Sequence, residues 1–219
     1  MAIPTYLEMV NEVLVRLRED EVTSVSDNAY SKLIGKFIND AKRQVEDAWA
    51  WNALTETLTA TTTANLFSYV LEGSGTRFRI IDVLNDTENF VMKYGETKLM
   101  NEWFLNANPE HGKPQYYNFN GTEADTGDTL VDFYPIPDGV YNIRINLIKS
   151  QVPLSANADK PLVPSEPIIL GAWARALAER GEDGGFSSSE AYQLYRSSLS
   201  DFIAIEANHY PEELEWRAD

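Results

Sequence analysis

The spacing of apolar residues changes twice along the chain, and this change constrains the fold more than any motif does. Up to about Leu54, apolar residues recur every three or four positions, which predicts helices. They then alternate with polar residues to about residue 152, which predicts strands. From about residue 165 the helical spacing returns. We therefore predict an α+β fold in which a β-module is inserted between two helix pairs.

The N-terminal segment predicts two amphipathic helices. Thr5 and Glu8 have the spacing of a capping box, and Ser26 or Asp27 is expected to cap the second helix. In the second helix one apolar stripe is predicted to face the core, formed by Leu33, Phe37, Ala41, Val45 and Ala48. The basic residues of this helix are expected on solvated faces, balanced by nearby acids: Lys32, Lys36, Lys42 and Arg43.

The middle segment predicts about six short strands that form a small β-sandwich or barrel-like module. Residues 72–75, EGSG, separate two alternating runs and predict a hairpin turn, since the lysine and helix start of a phosphate-binding loop are absent. Residues 97–106, TKLMNEWFLN, predict a short helix within the module. Further strands are predicted on both sides of residues 135–139, PIPDG.

The C-terminal segment predicts a second helix pair followed by an extended tail. Residues 168–179 have an alanine-rich apolar face that can pack closely on other helices. Each helix pair is too short to hold a core alone, so the pairs are expected to form one four-helix bundle. The predicted organisation is N-terminal bundle helices over 1–52, the β-module over 53–152, C-terminal bundle helices over 153–206 and the tail over 207–219.

Composition excludes several kinds of function. The chain has no cysteine, which excludes disulfides, thiol catalysis and cysteine-based zinc sites. It has 34 acidic against 18 basic residues and a net charge of −16, which argues against tight binding to a phosphate backbone. No apolar run reaches membrane-spanning length and the first residues do not have the pattern of a signal peptide. We therefore expect a protein of a cytoplasm-like compartment with no membrane partner.

Few residues are suited to catalysis or metal binding. His111 and His209 are the two histidines, and neither lies in a metal-binding motif. Glu179, Glu182 and Asp183 cluster beside glycines, but their spacing matches no calcium loop and is typical of a helix-to-helix turn. The sequence thus predicts no catalytic residue, no cofactor and no metal site.

The polar C-terminal tail contains the strongest candidate for an interaction site. Trp216 in such a segment is either an aromatic anchor that docks on another protein or a side chain that packs back onto its own bundle. The residues predicted to bind a partner are His209, Tyr210, Pro211, Leu214, Trp216 and Arg217.

Four stretches of the chain resemble the head-to-tail adaptor (connector) proteins of short-tailed bacteriophages. The resemblance extends from about Pro4 to Trp216 and is carried by PTYLEMVNEVLVRLRE, FINDAKRQVEDAWAWNAL, LVDFYPIPDGVYNIRINL and LVPSEPIILGAWARALAERGEDGG. It implies a structural virion protein without enzyme activity that forms a ring, commonly a dodecamer. Such a ring lies between the phage portal protein and the tail nozzle or tube.

The resemblance also implies roles for the tail and for the acidic residues. The C-terminal segments of such adaptors often bind the portal, which would make Tyr210 and Trp216 anchors. Acids that line the ring would let genomic DNA pass without specific binding. The protein would then lie in the virion neck, and in the host cytoplasm during assembly. Two alternatives stay open: a cell-wall-cleaving virion enzyme with two opposed carboxylates, and a tail-terminator or tail-completion protein.

Overall fold

The structure is a computed structural model that describes residues 3–181 and 186–208, and its fold is mixed α+β. The chain divides into two compact units. The helical unit is formed by Met1–Leu54 together with Ser150–Asp219. The β unit is formed by Thr55–Lys149.

The described residues form five α-helices, four of them in the helical unit. Their bounds are α1 Tyr6–Arg16, α2 Ala29–Ala48, α3 Thr97–Phe104, α4 Ser165–Arg180 and α5 Phe186–Ala207. In the helical unit α4 contacts α1, α2 and α5, whereas the main contact of α5 within the described residues is with α4. The other three helices are thus arranged around α4, and a regular four-helix bundle stays a prediction. None of the described helices combines the length and apolar character needed to cross a membrane.

Small residues let α4 occupy this central position. A Cβ atom added to Gly171 would lie 3.2 Å from the Ala41 Cβ of α2 and 3.2 Å from the Tyr195 ring of α5. Three further buried residues of α4 that follow Gly171 are also small, namely Ala172, Ala174 and Ala176. Both partner helices therefore approach the α4 backbone closely, as the alanine-rich face predicted.

The ends of the N-terminal helices are set by local hydrogen bonds. The predicted capping box of α1 is confirmed, because the Thr5 Oγ1 accepts from the Glu8 amide at 3.3 Å and the Glu8 carboxylate accepts from the Thr5 amide at 2.7 Å. Helix α2 is capped by Asn28, so the prediction of Ser26 or Asp27 is wrong by one or two residues. The Asp27 carboxylate instead accepts backbone N–H groups of the preceding turn.

The apolar stripe of α2 differs in part from the predicted one. Ala41 and Val45 are buried as expected, but the other buried apolar side chains are Ile34 and Ile38. Of the other residues predicted in this stripe, Leu33 and Phe37 are half-buried and Ala48 is exposed. The helix therefore buries the residue that follows each of Leu33 and Phe37, namely Ile34 and Ile38.

Lys42 of α2 is buried, and its predicted place on a solvated face is wrong. Its Nζ lies 2.7 Å from Oε1 of Glu46, and the two side chains are only 3% and 2% exposed. Nζ also donates to the backbone carbonyls of Gln151 and Val152, at 2.8 and 3.2 Å. The segment that follows the β unit thus supplies acceptors that offset the cost of burying this charged side chain.

Asn39, one turn earlier on α2, binds the same returning segment. Its side-chain amide donates to the carbonyl of Leu154 at 3.0 Å and accepts from the Leu154 amide at 2.8 Å. A little further along, the carbonyls of Asn157 and Asp159 accept from the first amides of α1, those of Leu7 and Tyr6. Residues 151–159 are therefore ordered by hydrogen bonds to both N-terminal helices.

Residues 55–149 are all described and contain ten strands. Their bounds are β1 Thr55–Thr61, β2 Ser68–Val70, β3 Phe78–Asn85, β4 Phe90–Val91, β5 Lys93–Tyr94, β6 His111–Gly112, β7 Tyr116–Thr122, β8 Thr129–Tyr134, β9 Ile136–Pro137 and β10 Asn142–Lys149. Helix α3 lies between β5 and β6 and confirms the short helix predicted there. It packs on β7.

Two four-stranded sheets share the core of the β unit. The first has the antiparallel order β1-β10-β3-β4, and the second has the order β2-β8-β7-β5 with β5 parallel to β7. Buried side chains of both sheets belong to one cluster, including Ile143 and Ile145 of β10 and Val131 and Phe133 of β8. This agrees in part with the predicted sandwich, to which the structure adds α3 and a small parallel β6-β9 sheet.

The hairpin predicted at residues 72–75 is wrong. Strand β2 pairs with β8, and β3 pairs with β10 and β4, so the strands on either side of EGSG lie in different sheets. The Asp128 carboxylate holds this connection by accepting from the amides of Gly75 and Gly73, at 2.8 and 3.0 Å. Residues 135–139 likewise lead from β8 in one sheet to β10 in the other.

Candidate functional site

The predicted portal-binding residues lie outside the described part of the chain, which ends at Asn208. These residues are His209, Tyr210, Pro211, Leu214, Trp216 and Arg217. Asn208 directly follows α5, so the described part of the candidate site is α5 and the helical surface on which it lies.

Helix α5 is held on the helical unit along a narrow line. Ala191 and Tyr195 are its buried apolar side chains in the described part, and Tyr195 packs against Gly171 of α4. Burial in this apolar contact raises the pKa of the Tyr195 phenol. The later side chains Leu199 and Phe202 are half-buried. The C-terminal half of α5 is therefore covered less completely than its first half.

An open groove of about 720 Å³ lies beside the last turns of α5. Its walls come from the start of the chain with α1, from residues 51–53, from residues 162–169 and from α5. The apolar part of the lining is formed by Ile3, Trp51, Leu162, Ile169 and Phe202. Trp51 is fixed in this wall because its indole N–H donates to the Val45 carbonyl at 2.7 Å. A groove of this volume with an aromatic wall is suited to receiving side chains of a partner.

The charged residues of the groove are mainly acidic. Glu12, Glu166 and Glu206 line it together with Arg16. Arg16 is engaged by Glu12 at 2.9 Å. Glu206 accepts from the Asn52 amide at 2.8 Å, which joins the end of α5 to the turn after α2. The groove therefore combines apolar side chains with three carboxylates and one guanidinium.

Several other acids stabilise turns. Their carboxylates accept backbone N–H groups, and these hydrogen bonds lower the pKa of Glu8, Asp27, Glu123, Asp128 and Asp159. All five are ionised at neutral pH and keep the surface negative. Four of them accept from amides of their own loop or helix start, and Asp128 accepts from Gly73 and Gly75 of a different connection, which gives these acids a structural role.

The residues considered for metal binding or catalysis do not come together in the described part of the chain. Across 3–181 and 186–208, no three His, Asp or Glu side chains come together as a cluster that could hold a metal ion. His111 lies exposed in the short strand β6. Of the acidic cluster near residue 180, Glu179 is exposed, and Glu182 and Asp183 lie outside the described residues. The described surface also contains the groove and the partly covered helix α5.

A comparison with protein families gives a match over nearly the whole chain. The model of the SU10 adaptor protein family matches residues 4–214. The chain belongs to the SU10 adaptor protein family. This confirms the resemblance to phage head-to-tail adaptors and identifies a structural adaptor protein of a bacteriophage virion. Among curated proteins, none matches the sequence.

Sequence reasoning about the adaptor missed the groove and the buried Lys42–Glu46 pair. The groove is lined by residues from four distant parts of the chain, and their spacing along the sequence carries no common pattern. The i,i+4 spacing of Lys42 and Glu46 was a usable signal, because oppositely charged residues at this spacing lie on the same face of a helix. Spacing alone does not distinguish a buried pair from an exposed one.

Proposed function

We propose that this adaptor forms a dodecameric ring that joins the portal protein to the tail nozzle or tube and surrounds the DNA channel. The observation that carries the proposal is the family match over residues 4–214, which includes both units and most of the tail. The four helices of the helical unit would form the bundle of each subunit. The β unit would face the tail or a neighbouring subunit.

The tail would provide attachment to the portal. It follows α5 and contains apolar and aromatic side chains between acids, namely Tyr210, Pro211, Leu214 and Trp216. Aromatic side chains contribute strongly when they are buried at an interface. His209 and Arg217 would add polar contacts at the edge of this interface. Ordering the tail has an entropy cost that these contacts must offset.

The acidic surface would keep the channel free of bound DNA. The net charge is −16, and three acids line the described groove against one arginine. A phosphate backbone binds where cations neutralise it and is repelled by carboxylates. Genomic DNA would therefore pass through the ring without a specific contact.

Assembly would be templated by the portal. Side-to-side contacts between subunits are modest in this proposal, so the free subunit stays monomeric in the host cytoplasm. Binding to a symmetric portal raises the local concentration of subunits and makes ring closure cooperative. The completed ring then lies in the neck of the virion, and its role requires no cofactor and no catalysis.

Deletion of residues 208–219 tests the role of the tail. We expect the truncated protein to keep its helical circular dichroism, because none of the core contacts described above involves these residues. We expect it to lose attachment to purified portal, measured by co-sedimentation and by electron microscopy of the mixture. Portal binding equal to that of the full chain would refute the proposed role of the tail. Binding to tail tubes in place of portals would indicate a tail-completion protein.

A further inference from the structure

Helix α5 has an apolar surface wider than the strip that α4 covers. Successive residues of a helix are rotated by about 100°, so residues 11 apart return to nearly the same line. Leu194 and Ile205 form such a line, and their side chains are 49% and 55% exposed. We call this pair the Leu194 ridge. Asp201 lies between them along the helix, and two large apolar side chains exposed on one side of a helix favour contact with another protein.

A second apolar line runs along the opposite flank of α5. Tyr192 and Ile203 are also 11 residues apart, with Tyr192 49% exposed and Ile203 half-buried. We call this pair the Tyr192 ridge. Because Tyr192 and Leu194 are two positions apart, the ridges point about 160° away from each other, with the buried Tyr195 between them. One neighbour therefore does not cover both ridges.

The charges beside the two ridges have opposite signs, except for Glu206, which lies near the Tyr192 ridge and whose carboxylate accepts from the Asn52 amide. Glu190 and Asp201, again 11 residues apart and both exposed, lie next to the Leu194 ridge. Arg196, also exposed, lies next to the Tyr192 ridge. A subunit in a closed ring needs two different surfaces that complement each other, since each copy contacts the next in a head-to-tail manner. The two flanks of α5 have this property.

We propose that α5 forms the contact between neighbouring copies of this chain in the ring. The Leu194 ridge of one copy, with Glu190 and Asp201, packs beside the Tyr192 ridge of the next copy, with Arg196. The apolar ridges provide the buried area, and the charges select the head-to-tail orientation. This inference rests on the proposed ring and identifies the surface that closes it.

Covalent cross-linking tests this arrangement directly. The chain has no cysteine, so cysteines introduced by Arg196→Cys and Asp201→Cys are the only reactive thiols. In the full chain assembled on purified portal, a short bismaleimide should join these positions between copies and give a ladder of oligomers. A matched variant with Arg196→Cys and Asp40→Cys, where Asp40 is exposed on α2, should give no such ladder. Its signal measures non-specific cross-linking.

Charge reversal provides the second measurement. Arg196→Glu or Asp201→Arg places like charges across every contact, and we expect about a tenfold or larger loss of assembled subunits per portal. The double variant restores opposite charges and should recover most of the assembly. Circular dichroism of each free variant checks that the helices are intact. This recovery would not occur if the single variants merely misfolded.

Each outcome distinguishes this inference from the proposed function. A wild-type ring that shows no ladder and no effect of charge reversal overturns the α5 contact and leaves the ring adaptor standing. A cross-link from α5 to the portal also overturns it, because the portal would then cover the ridge. If the wild-type chain forms no ring on the portal, the proposed function fails and the α5 contact fails with it.

Discussion

Replacing Lys42 by methionine tests the buried ion pair of α2. The Lys42 and Glu46 side chains are only 3% and 2% exposed, so each charge relies on the other and on nearby polar groups. The replacement leaves the Glu46 carboxylate unpaired and removes the donor from the carbonyls of Gln151 and Val152. Breaking a buried ion pair from one side costs about 3–5 kcal/mol. We expect Lys42→Met to lower the free energy of unfolding by about that amount.

Removing both charges separates the ion pair from the hydrogen bonds to the returning segment. The double variant Lys42→Met, Glu46→Leu contains no unpaired carboxylate, so we expect it to be more stable than Lys42→Met alone. The two carbonyls still lack their donor, and the loss of a typical hydrogen bond costs about 0.5–1.5 kcal/mol. The double variant should therefore lie between the wild type and the single variant.

The loss in Lys42→Met should depend on pH. Burial raises the pKa of Glu46, even though Lys42 opposes this shift. A carboxyl whose pKa is raised on folding contributes stability below its unfolded pKa of about 4.3, and this contribution is lost as the pH rises through the folded value. Without Lys42 the folded pKa rises further. The penalty of the substitution should thus shrink as the pH falls from about 7 toward the unfolded pKa of about 4.3.

Urea unfolding followed by tryptophan fluorescence measures these differences, since Trp51 is buried against α2 in the same unit. Lys36→Met is the matched control, because Lys36 is exposed on the same helix and its replacement should change stability by less than about 0.5 kcal/mol. A Lys42→Met variant that behaves like this control, at neutral and at acidic pH, would refute the reasoning.

Two further substitutions probe other parts of the fold. Gly171→Leu should destabilise the helical unit by about 1–3 kcal/mol, because even a Cβ atom there lies 3.2 Å from both α2 and α5. Ala178→Leu, on the exposed side of α4, should change the urea midpoint little. Asp128→Asn should weaken the β unit at neutral pH, because hydrogen bonds from Gly75 and Gly73 lower the pKa of Asp128 and favour its charged form. That contribution is present above about pH 4 and is lost below it, so the variant and wild type should converge in acid-unfolding measurements.

Local patterns in the sequence predicted helices, caps and strands better than they predicted which strands pair with each other. The capping box of Thr5 and Glu8 depends on residues three apart, and the structure contains it. The EGSG stretch also looked local, yet β2 and β3 pair with β8 and β10, whose residues lie 50 or more positions away in sequence. Alternation shows that a segment has two faces, and it does not show which strand lies beside it. Register and pairing depend on packing across the whole unit.

Burial of Lys42 could not be predicted from helical periodicity for a similar reason. The periodicity of α2 places Lys42 next to the buried Ala41, at the edge of the apolar stripe. Whether such an edge faces water depends on what covers it, and here the cover is the segment around Gln151, more than 100 residues later. The same limit applies to the groove, whose walls meet only after folding.

The tail and α5 would act at different steps of assembly, and their variants should separate these steps. The tail selects the portal, so its deletion should abolish binding of even the first subunit. The ridges of α5 act only when two subunits lie side by side, so Arg196→Glu should leave binding of isolated subunits intact and prevent filling of the ring. Titration of portal with each variant distinguishes attachment from ring closure. A variant that has lost cooperativity gives a less steep binding curve, whereas a variant without the tail gives no binding signal. A tail deletion that still fills rings cooperatively at high protein concentration would assign attachment as well as closure to the helical unit.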